Sequence, residues 1–73
     1  MRRERILRGL IHHRFVVTDV DGHGYRGLLA DADDRIIRMV DTATMGPAGQ
    51  LVPIDGDFFL ERSRVAYMQQ IEG

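Results

Sequence analysis

The stretch that decides the fold runs from residue 15 to residue 33 and reads FVVTDVDGHGYRGLLADAD. It begins with a β-branched and aromatic segment from Phe15 to Val20, a composition typical of strands. Asp21 and Gly22 then form the Asp-Gly pair that favours a tight hairpin turn. A second strand follows with Gly27 inside it, and a glycine within a strand indicates a sharp bend or a close backbone approach. The sequence therefore predicts a bent antiparallel hairpin here.

Three more strands are predicted after a polar turn at residues 31–34. They cover residues 36–40, 58–61 and 65–69, and the Gly- and Pro-containing stretch 42–57 separates the first from the second. Five short strands at hairpin spacing predict an all-β, strongly bent, partly open barrel. A sheet that does not close leaves two edges, which proteins manage by covering or pairing them.

The N-terminal residues 2–13 predict a short amphipathic helix, because Ile6, Leu7, Leu10 and Ile11 share one face at helical spacing. A helix this short does not persist alone and must dock on the rest of the chain. We therefore expect a single domain over residues 1–73, with a helix at 2–13 and a five-stranded barrel at 15–71. The apolar residues near the start are interrupted by Arg8 and Gly9, so no signal peptide is predicted.

The composition favours a binding or assembly module over an enzyme. The chain has 73 residues and no cysteine, which excludes disulfides and thiolate zinc sites. No nucleophile stands beside a base, and no Gly-rich loop opens a helix, so no catalytic residue is assigned. We expect no metal and no cofactor. His12 and His13 are adjacent and diverge on a helix, and the aspartates at 31, 33 and 34 lack the later glutamate of a calcium loop. A chain this small has a limited core, and oligomerisation is the expected source of extra stability.

Charge is distributed unevenly along the chain, although the net charge is −1. Residues 1–14 contain five arginines and one glutamate (5 − 1 = +4), whereas residues 15–34 contain five aspartates and one arginine (1 − 5 = −4). The arginines are candidates for contact with RNA, another anion or an acidic partner surface, because guanidinium groups suit all of these. Contact between acidic and basic faces of neighbouring subunits explains the pattern equally well. The candidate residues are Arg2, Arg3, Arg5, Arg8 and Arg14.

The chain resembles the Sm-like (LSm, Hfq-type) family of small β-barrels along residues 2–71. The resemblance rests on Asp21-Gly22, Tyr25, Gly27, Leu29 and Asp33, which match the first family signature, and on Val65-Ala66-Tyr67-Met68, which match the end of the second. It implies an Sm-like or SH3-like barrel, assembly into a ring, and RNA as a partner. In that pattern Asp21, Gly22, Gly27 and Asp33 are structural turn and bend residues.

The residues that read RNA in the family are replaced. The resemblance places Ile37, or Ile36 after a shift of one residue, where the family has an asparagine that reads uridine. It places Glu61 and Arg62 where many members have an Arg-Gly pair. An isoleucine cannot hydrogen-bond a base edge, and a glutamate repels phosphate. Family-type uridine binding is therefore not expected.

The leading hypothesis is a non-enzymatic assembly or adaptor subunit that oligomerises, or docks on a larger protein assembly, by pairing of strand edges. Because Phe58 and Phe59 are neighbours in a strand, one of them must face away from the core and is the best candidate for contact with another chain. The alternative is an Sm-like ring that binds RNA through its basic N-terminal helix. The Arg-rich, Lys-free composition also resembles small barrels of tailed phages. The protein is thus expected in a cytoplasm or in a phage virion, and not in a membrane. The predicted interface residues are Phe58, Phe59, Leu60, Val65, Tyr67 and Met68.

Overall fold

A computed structural model describes residues 9–71 of the chain. It contains six strands: β1 (Arg14–Asp19), β2 (Gly24–Ala32), β3 (Ile36–Met45), β4 (Leu51–Pro53), β5 (Phe58–Glu61) and β6 (Val65–Ile71). A single 3-10 turn, Arg62–Arg64, joins β5 to β6. The strands form one antiparallel sheet in the order β4-β3-β2-β1-β6, and β5 also pairs with β3.

The all-β prediction is confirmed, but the count of five strands is wrong. Residues 51–53 form a separate strand on the second half of β3, whereas β5 pairs with its first half. Between them, Gly56 has a φ of 77°, so the chain turns out of the extended conformation and the two strands cannot be continuous. The structure therefore has six strands in residues 9–71 where the sequence predicted five.

The bend itself lies at the centre of β3, opposite Gly27. Asp41 has a φ of 52°, which is uncommon for a residue other than glycine. Arg14 donates from Nη2 to Asp41 Oδ2 at 2.9 Å and holds this corner. A Cβ atom on Gly27 would lie 2.6 Å from Thr42 Oγ1 and 3.0 Å from Thr42 Cα. Only a glycine lets β2 approach β3 this closely, and the approach folds the sheet over on itself.

The core lies inside this fold and is small. Alternate residues of β1 to β3 point inward, as the period of a strand requires. Burying one such side chain stabilises the fold by about 1.5 to 3 kcal/mol. Among residues 9–71, the buried apolar side chains are Phe15, Val17, Leu29, Ile37, Met39 and Leu60.

The predicted N-terminal helix falls mainly on residues 2–8, which lie outside the described residues. Its predicted end at His13 is wrong, because residues 10–13 form a turn. His12 has a φ of 73°, and its N–H donates to the carbonyl of Leu29 at 2.6 Å. The N–H of Leu29 in turn donates to the carbonyl of His13 at 3.0 Å. The backbone here continues the β1–β2 ladder, and Leu10 and Ile11 pack on the core. In residues 9–71, no helix has the length and apolar character needed to cross a membrane.

Candidate functional site

The barrel is open between β5 and β6. Over residues 9–71, β5 pairs only with β3 and β6 pairs only with β1, although the two strands are joined by one short turn. Each therefore has an edge with backbone groups that no other strand of residues 9–71 satisfies. β4 also has an open edge, but it has three residues and ends at Pro53, which has no N–H to donate. The open edges of β5 and β6 are the candidate site.

On β5, the residues that face the open edge can be identified from the hydrogen bonds to β3. The N–H of Arg62 donates to the carbonyl of Arg35 at 2.8 Å, which continues the β3–β5 ladder by one residue. Backbone groups of successive strand residues alternate between the two sides of a strand. Leu60 and Phe58 therefore direct their N–H and C=O groups towards β3. Phe59 and Glu61 direct theirs towards the open edge.

On β6, the same reasoning starts from the neighbouring hairpin. The N–H of Asp19 donates to the carbonyl of His23 at 2.9 Å, so the backbone of Asp19 faces β2 and that of Thr18 faces β6. Thr18 pairs with Tyr67. Tyr67 therefore directs its backbone groups inward to β1, and Met68 directs its own to the open edge.

The structure separates the six predicted interface residues into two groups. Leu60 is a core residue, and Phe58, Val65 and Met68 pack against the core, so these side chains are not exposed on the sheet surface. Phe58 also lies against Tyr25, with ring centroids 4.6 Å apart. Phe59 and Tyr67 point away from the core and are 57% and 61% exposed, respectively. Each of the two strands with an open edge therefore carries one exposed aromatic side chain.

A β-bulge determines the direction of the side chains in β6. Thr18 pairs with Tyr67, whereas Asp19 pairs with Val65, so Ala66 is an extra residue on β6. The insertion lets Val65 and Met68 both reach the core, although an odd spacing would put them on opposite faces of a regular strand.

The predicted arginine surface is described only at Arg14, because Arg2, Arg3, Arg5 and Arg8 lie outside the described residues. Arg14 is paired with Asp41 and does not form a separate basic surface. Other arginines are paired as well: Arg38 contacts Asp57, and Arg64 contacts Asp21. Three of the six arginines in residues 9–71 are therefore paired with an aspartate.

The positions matched to the uridine site do not form one. Ile37 is 1% exposed and belongs to the core, whereas Ile36 is 40% exposed at the surface. Glu61 is exposed beside it, opposite Ile36 in the β3–β5 pair. Arg62 donates from Nη1 to the carbonyl of Asp33 at 2.6 Å, so it serves the β2–β3 turn. None of these groups offers an amide to a base edge.

Asp33 stabilises that turn through its carboxylate. Its Oδ1 accepts the backbone N–H groups of Arg35 and Ile36 at 2.8 and 2.9 Å. These two hydrogen bonds hold the pKa of Asp33 below its ordinary value. The turn places Arg35 against Arg62 at the end of β5, so it fixes the corner from which the open edge of β5 begins.

Sequence reasoning singled out Asp21 and Gly22 for the β1–β2 turn, but the buried Asp19 organises it. Asp19 Oδ1 accepts the N–H groups of Asp21 and His23, both at 2.9 Å, and Oδ2 accepts the Tyr25 hydroxyl at 3.1 Å. Gly22 has a φ of 88°, which the turn requires. An aspartate placed two residues before Asp-Gly is the sequence signal that was missed.

Asp19, Asp21 and His23 also bring their ligand atoms within 4.8 Å of one another. A carboxylate pair with an imidazole could bind a divalent cation. Here both oxygens of Asp19 already accept hydrogen bonds from the turn, so the arrangement is explained by the turn itself.

The pH dependence of stability follows from the Asp19 contacts. Burial alone would raise the pKa of Asp19, but the hydrogen bonds from His23, Asp21 and Tyr25 outweigh burial and lower the pKa from its ordinary 3.8. A carboxylate whose pKa is lower in the folded state than in the unfolded state stabilises the fold. This contribution to the free energy of unfolding is complete at pH values above the unfolded-state pKa. That contribution is lost as the pH falls through the lowered folded pKa.

We therefore expect the urea midpoint of unfolding to fall as the pH drops below about 4. Asp19→Asn should be less stable at pH 7 and should show a smaller acid-induced fall. Asp34→Asn is the control, because the Asp34 side chain makes no hydrogen bond within residues 9–71 and should leave the profile unchanged. If the urea midpoint of Asp19→Asn fell with pH as steeply as that of the wild type, Asp19 would not be the source of the acid sensitivity.

No protein-family model matches the sequence, and no curated protein matches it either. Solved structures do match by shape. A heptameric archaeal Sm protein superposes with a TM-score of 0.82 at 19% identity, covering 93% of this chain and 98% of that one. A P. aerophilum Sm protein heptamer gives a TM-score of 0.82 at 20% identity, with 94% and 92% coverage.

A third structure, a Pyrococcus abyssii Sm protein in complex with a uridine heptamer, gives a TM-score of 0.80 at 16% identity, with 92% and 94% coverage. The chain therefore has the Sm-like fold over nearly its whole length, as its signature residues indicated. At these identities the likeness establishes the fold and nothing further.

Proposed function

We propose that this chain is a non-enzymatic assembly module whose copies join head to tail, the open edge of β5 on one copy pairing with the open edge of β6 on the next. The observation that carries the proposal is the pair of unsatisfied backbone edges on one barrel, each bearing an exposed aromatic side chain. Each copy contributes one edge of each kind. Such a heterologous contact gives a ring when the rotation between copies closes.

The size of the core supports self-association. Within residues 9–71 six apolar side chains are buried, and isolated chains of this size are marginally stable. Pairing of two strand edges satisfies the free backbone groups and removes Phe59 and Tyr67 from water. The heptameric state of two structural neighbours supports a closed ring as the form of assembly.

RNA binding is the second candidate function, and the uridine complex of one neighbour favours it. The residues described here do not support reading of uridine, because Ile36 and Glu61 replace the groups that the resemblance requires. The N-terminal arginines would then supply sequence-independent phosphate contacts. A role in a phage particle, suggested by composition alone, would use the same two edges with a different protein partner.

Light scattering on a sizing column, with absorbance recorded at 260 and 280 nm, tests the proposal and separates the two candidates. The chain has no Trp and two Tyr, so bound nucleic acid would dominate the absorbance. An oligomer free of nucleic acid supports an assembly module. A monomer would exclude the edge-paired assembly.

If RNA binds, replacing Arg2, Arg3, Arg5 and Arg8 with alanine should abolish most of the affinity, because phosphate contacts by arginine release counterions. The slope of log K against log salt should fall by about 0.7 for each single-strand phosphate contact that is lost. Fluorescence anisotropy with a labelled single-stranded RNA at several salt concentrations measures this. Unchanged binding by the fourfold variant would eliminate the arginine segment as the RNA contact.

A further inference from the structure

In the proposed assembly the two edges pair antiparallel, as all strand pairs within residues 9–71 do. The direction of the backbone groups then prevents the two exposed aromatic residues from lying directly opposite each other. Residues directly opposite each other in an antiparallel pair have side chains on the same face of the joined sheet. The backbone N–H and C=O groups of two opposed residues either both point towards the partner strand or both point away from it. Phe59 directs its backbone to the open edge, whereas Tyr67 directs its own to β1. Phe59 and Tyr67 therefore cannot be directly opposite.

The residues of β6 that can face Phe59 are those whose backbone groups point to the open edge, and Met68 is the central one. The side chain of Met68 lies on the core face of its own barrel, where it is half-buried. Pairing of Phe59 with Met68 therefore places an outward side chain of one copy on the inward face of the next. The outward face of the sheet in one copy thus continues as the core face of the sheet in the next copy.

The negative charge of Glu61 at the end of β5 favours the register in which Phe59 lies opposite Met68 over the alternative registers. With Phe59 opposite Met68, Glu61 lies opposite Ala66, which is small and exposed. A shift of two residues that put Phe59 opposite Gln70 would put Glu61 opposite Met68 on the core face, and burying an unpaired carboxylate there is costly. The opposite shift moves Glu61 past the start of β6 and shortens the ladder.

Resting on the edge-paired assembly proposed above, we infer that Phe59 of each copy enters the core of the next copy, opposite Met68 of that copy's β6. The barrel is open between β5 and β6, so the core face of Met68 is accessible from that side. Each small core then receives an aromatic side chain from outside its own chain. This accounts for a phenylalanine that is 57% exposed in the isolated chain.

Disulfide trapping tests this register cleanly, because the chain has no cysteine of its own. Directly opposed residues in an antiparallel ladder have Cα atoms about 4.5 to 5.5 Å apart, within the range a disulfide spans. The test variant is Phe59→Cys with Met68→Cys, and its matched control is Phe59→Cys with Tyr67→Cys. Both are oxidised in the assembled state and analysed on non-reducing gels.

A second pair keeps Phe59 intact, in case its loss weakens the contact. The same register places Asp57 opposite Gln70, so Asp57→Cys with Gln70→Cys should also cross-link. Its matched control is Asp57→Cys with Gln69→Cys, in which the side chains lie on opposite faces. The mass of every reduced variant is measured by light scattering alongside the gels.

The inference predicts a ladder of linked chains, with loss of the monomer band, for both test variants and none for either control. An oligomer that cross-links through the control pairs, or through no pair, would overturn the register while leaving the assembly proposal standing. A wild-type protein that is monomeric by light scattering would overturn both.

Discussion

Replacing Phe59 with aspartate is expected to convert the assembled protein into folded monomers. Phe59 lies on the open edge of β5 and is 57% exposed, so the isolated fold does not depend on it. In the assembly it would be buried, and a carboxylate there would lose hydration without gaining a partner. Aromatic residues at the centre of an interface are worth about 2 to 4 kcal/mol or more. Each contact should therefore weaken by about 30- to 1,000-fold.

The measurement is the molar mass by light scattering, with circular dichroism to show that the fold is retained. Val20→Asp is the matched control, because Val20 is 56% exposed and lies outside both open edges. The control should keep the mass of the wild type. If Phe59→Asp retained that mass as well, the edge of β5 would not be the contact surface.

Replacing Gly27 with alanine is expected to have the largest effect on stability. The added Cβ would lie 2.6 Å from Thr42 Oγ1 and 3.0 Å from the backbone at Thr42 Cα, so β2 and β3 must move apart where the sheet folds over. Overpacking of this kind costs about 1 to 3 kcal/mol. In a domain of this size that corresponds to a fall in Tm of roughly 5 to 20 °C.

Gly24→Ala in the same strand is the matched control. Its added Cβ would meet Met45 Sδ at 3.1 Å, and the end of a flexible methionine can move aside. We expect its Tm to stay within a few degrees of the wild type, when both are measured at one protein concentration because assembly raises the apparent stability. Equal effects of the two substitutions would mean that the close approach at Thr42 does not set the bend.

The sequence predicted the strands whose residues alternate or are β-branched, and missed those whose pairing depends on distant residues. The strand at residues 58–61 was predicted with the bounds that the structure has. β4 was not predicted as a separate strand, because Leu51–Pro53 lies in a Gly- and Pro-rich stretch and is extended only through its pairing with Ala43 to Met45. Long-range pairing overrides local composition here.

The N-terminal turn shows the same limit. Leu10 and Ile11 have helical spacing with earlier apolar residues, and they do pack on the core. The chain nevertheless turns after Gly9, because the backbone groups of His12 and His13 are satisfied by Leu29 of β2. Periodicity locates the apolar face, whereas the residue at which a helix ends depends on such partners.

The sequence predicted the two strands that form the candidate site, but not which of their side chains face outward. Adjacent phenylalanines at 58 and 59 imply that one of them faces outward. Which of them does so depends on the register of β5 on β3, where Arg38 opposes Phe59 and Met39 opposes Phe58. The bulge at Ala66, which directs Met68 inward, has no signal in the sequence. Hence the pairing of Phe59 with Met68 follows only from the structure.

Native mass spectrometry of the wild-type chain tests the edge-paired assembly most directly. The account predicts one discrete species, a fixed multiple of the 8.3 kDa chain mass, that persists across protein concentrations because a closed ring has no free edge left to extend. Monomers alone, or an open series of increasing masses, would contradict it.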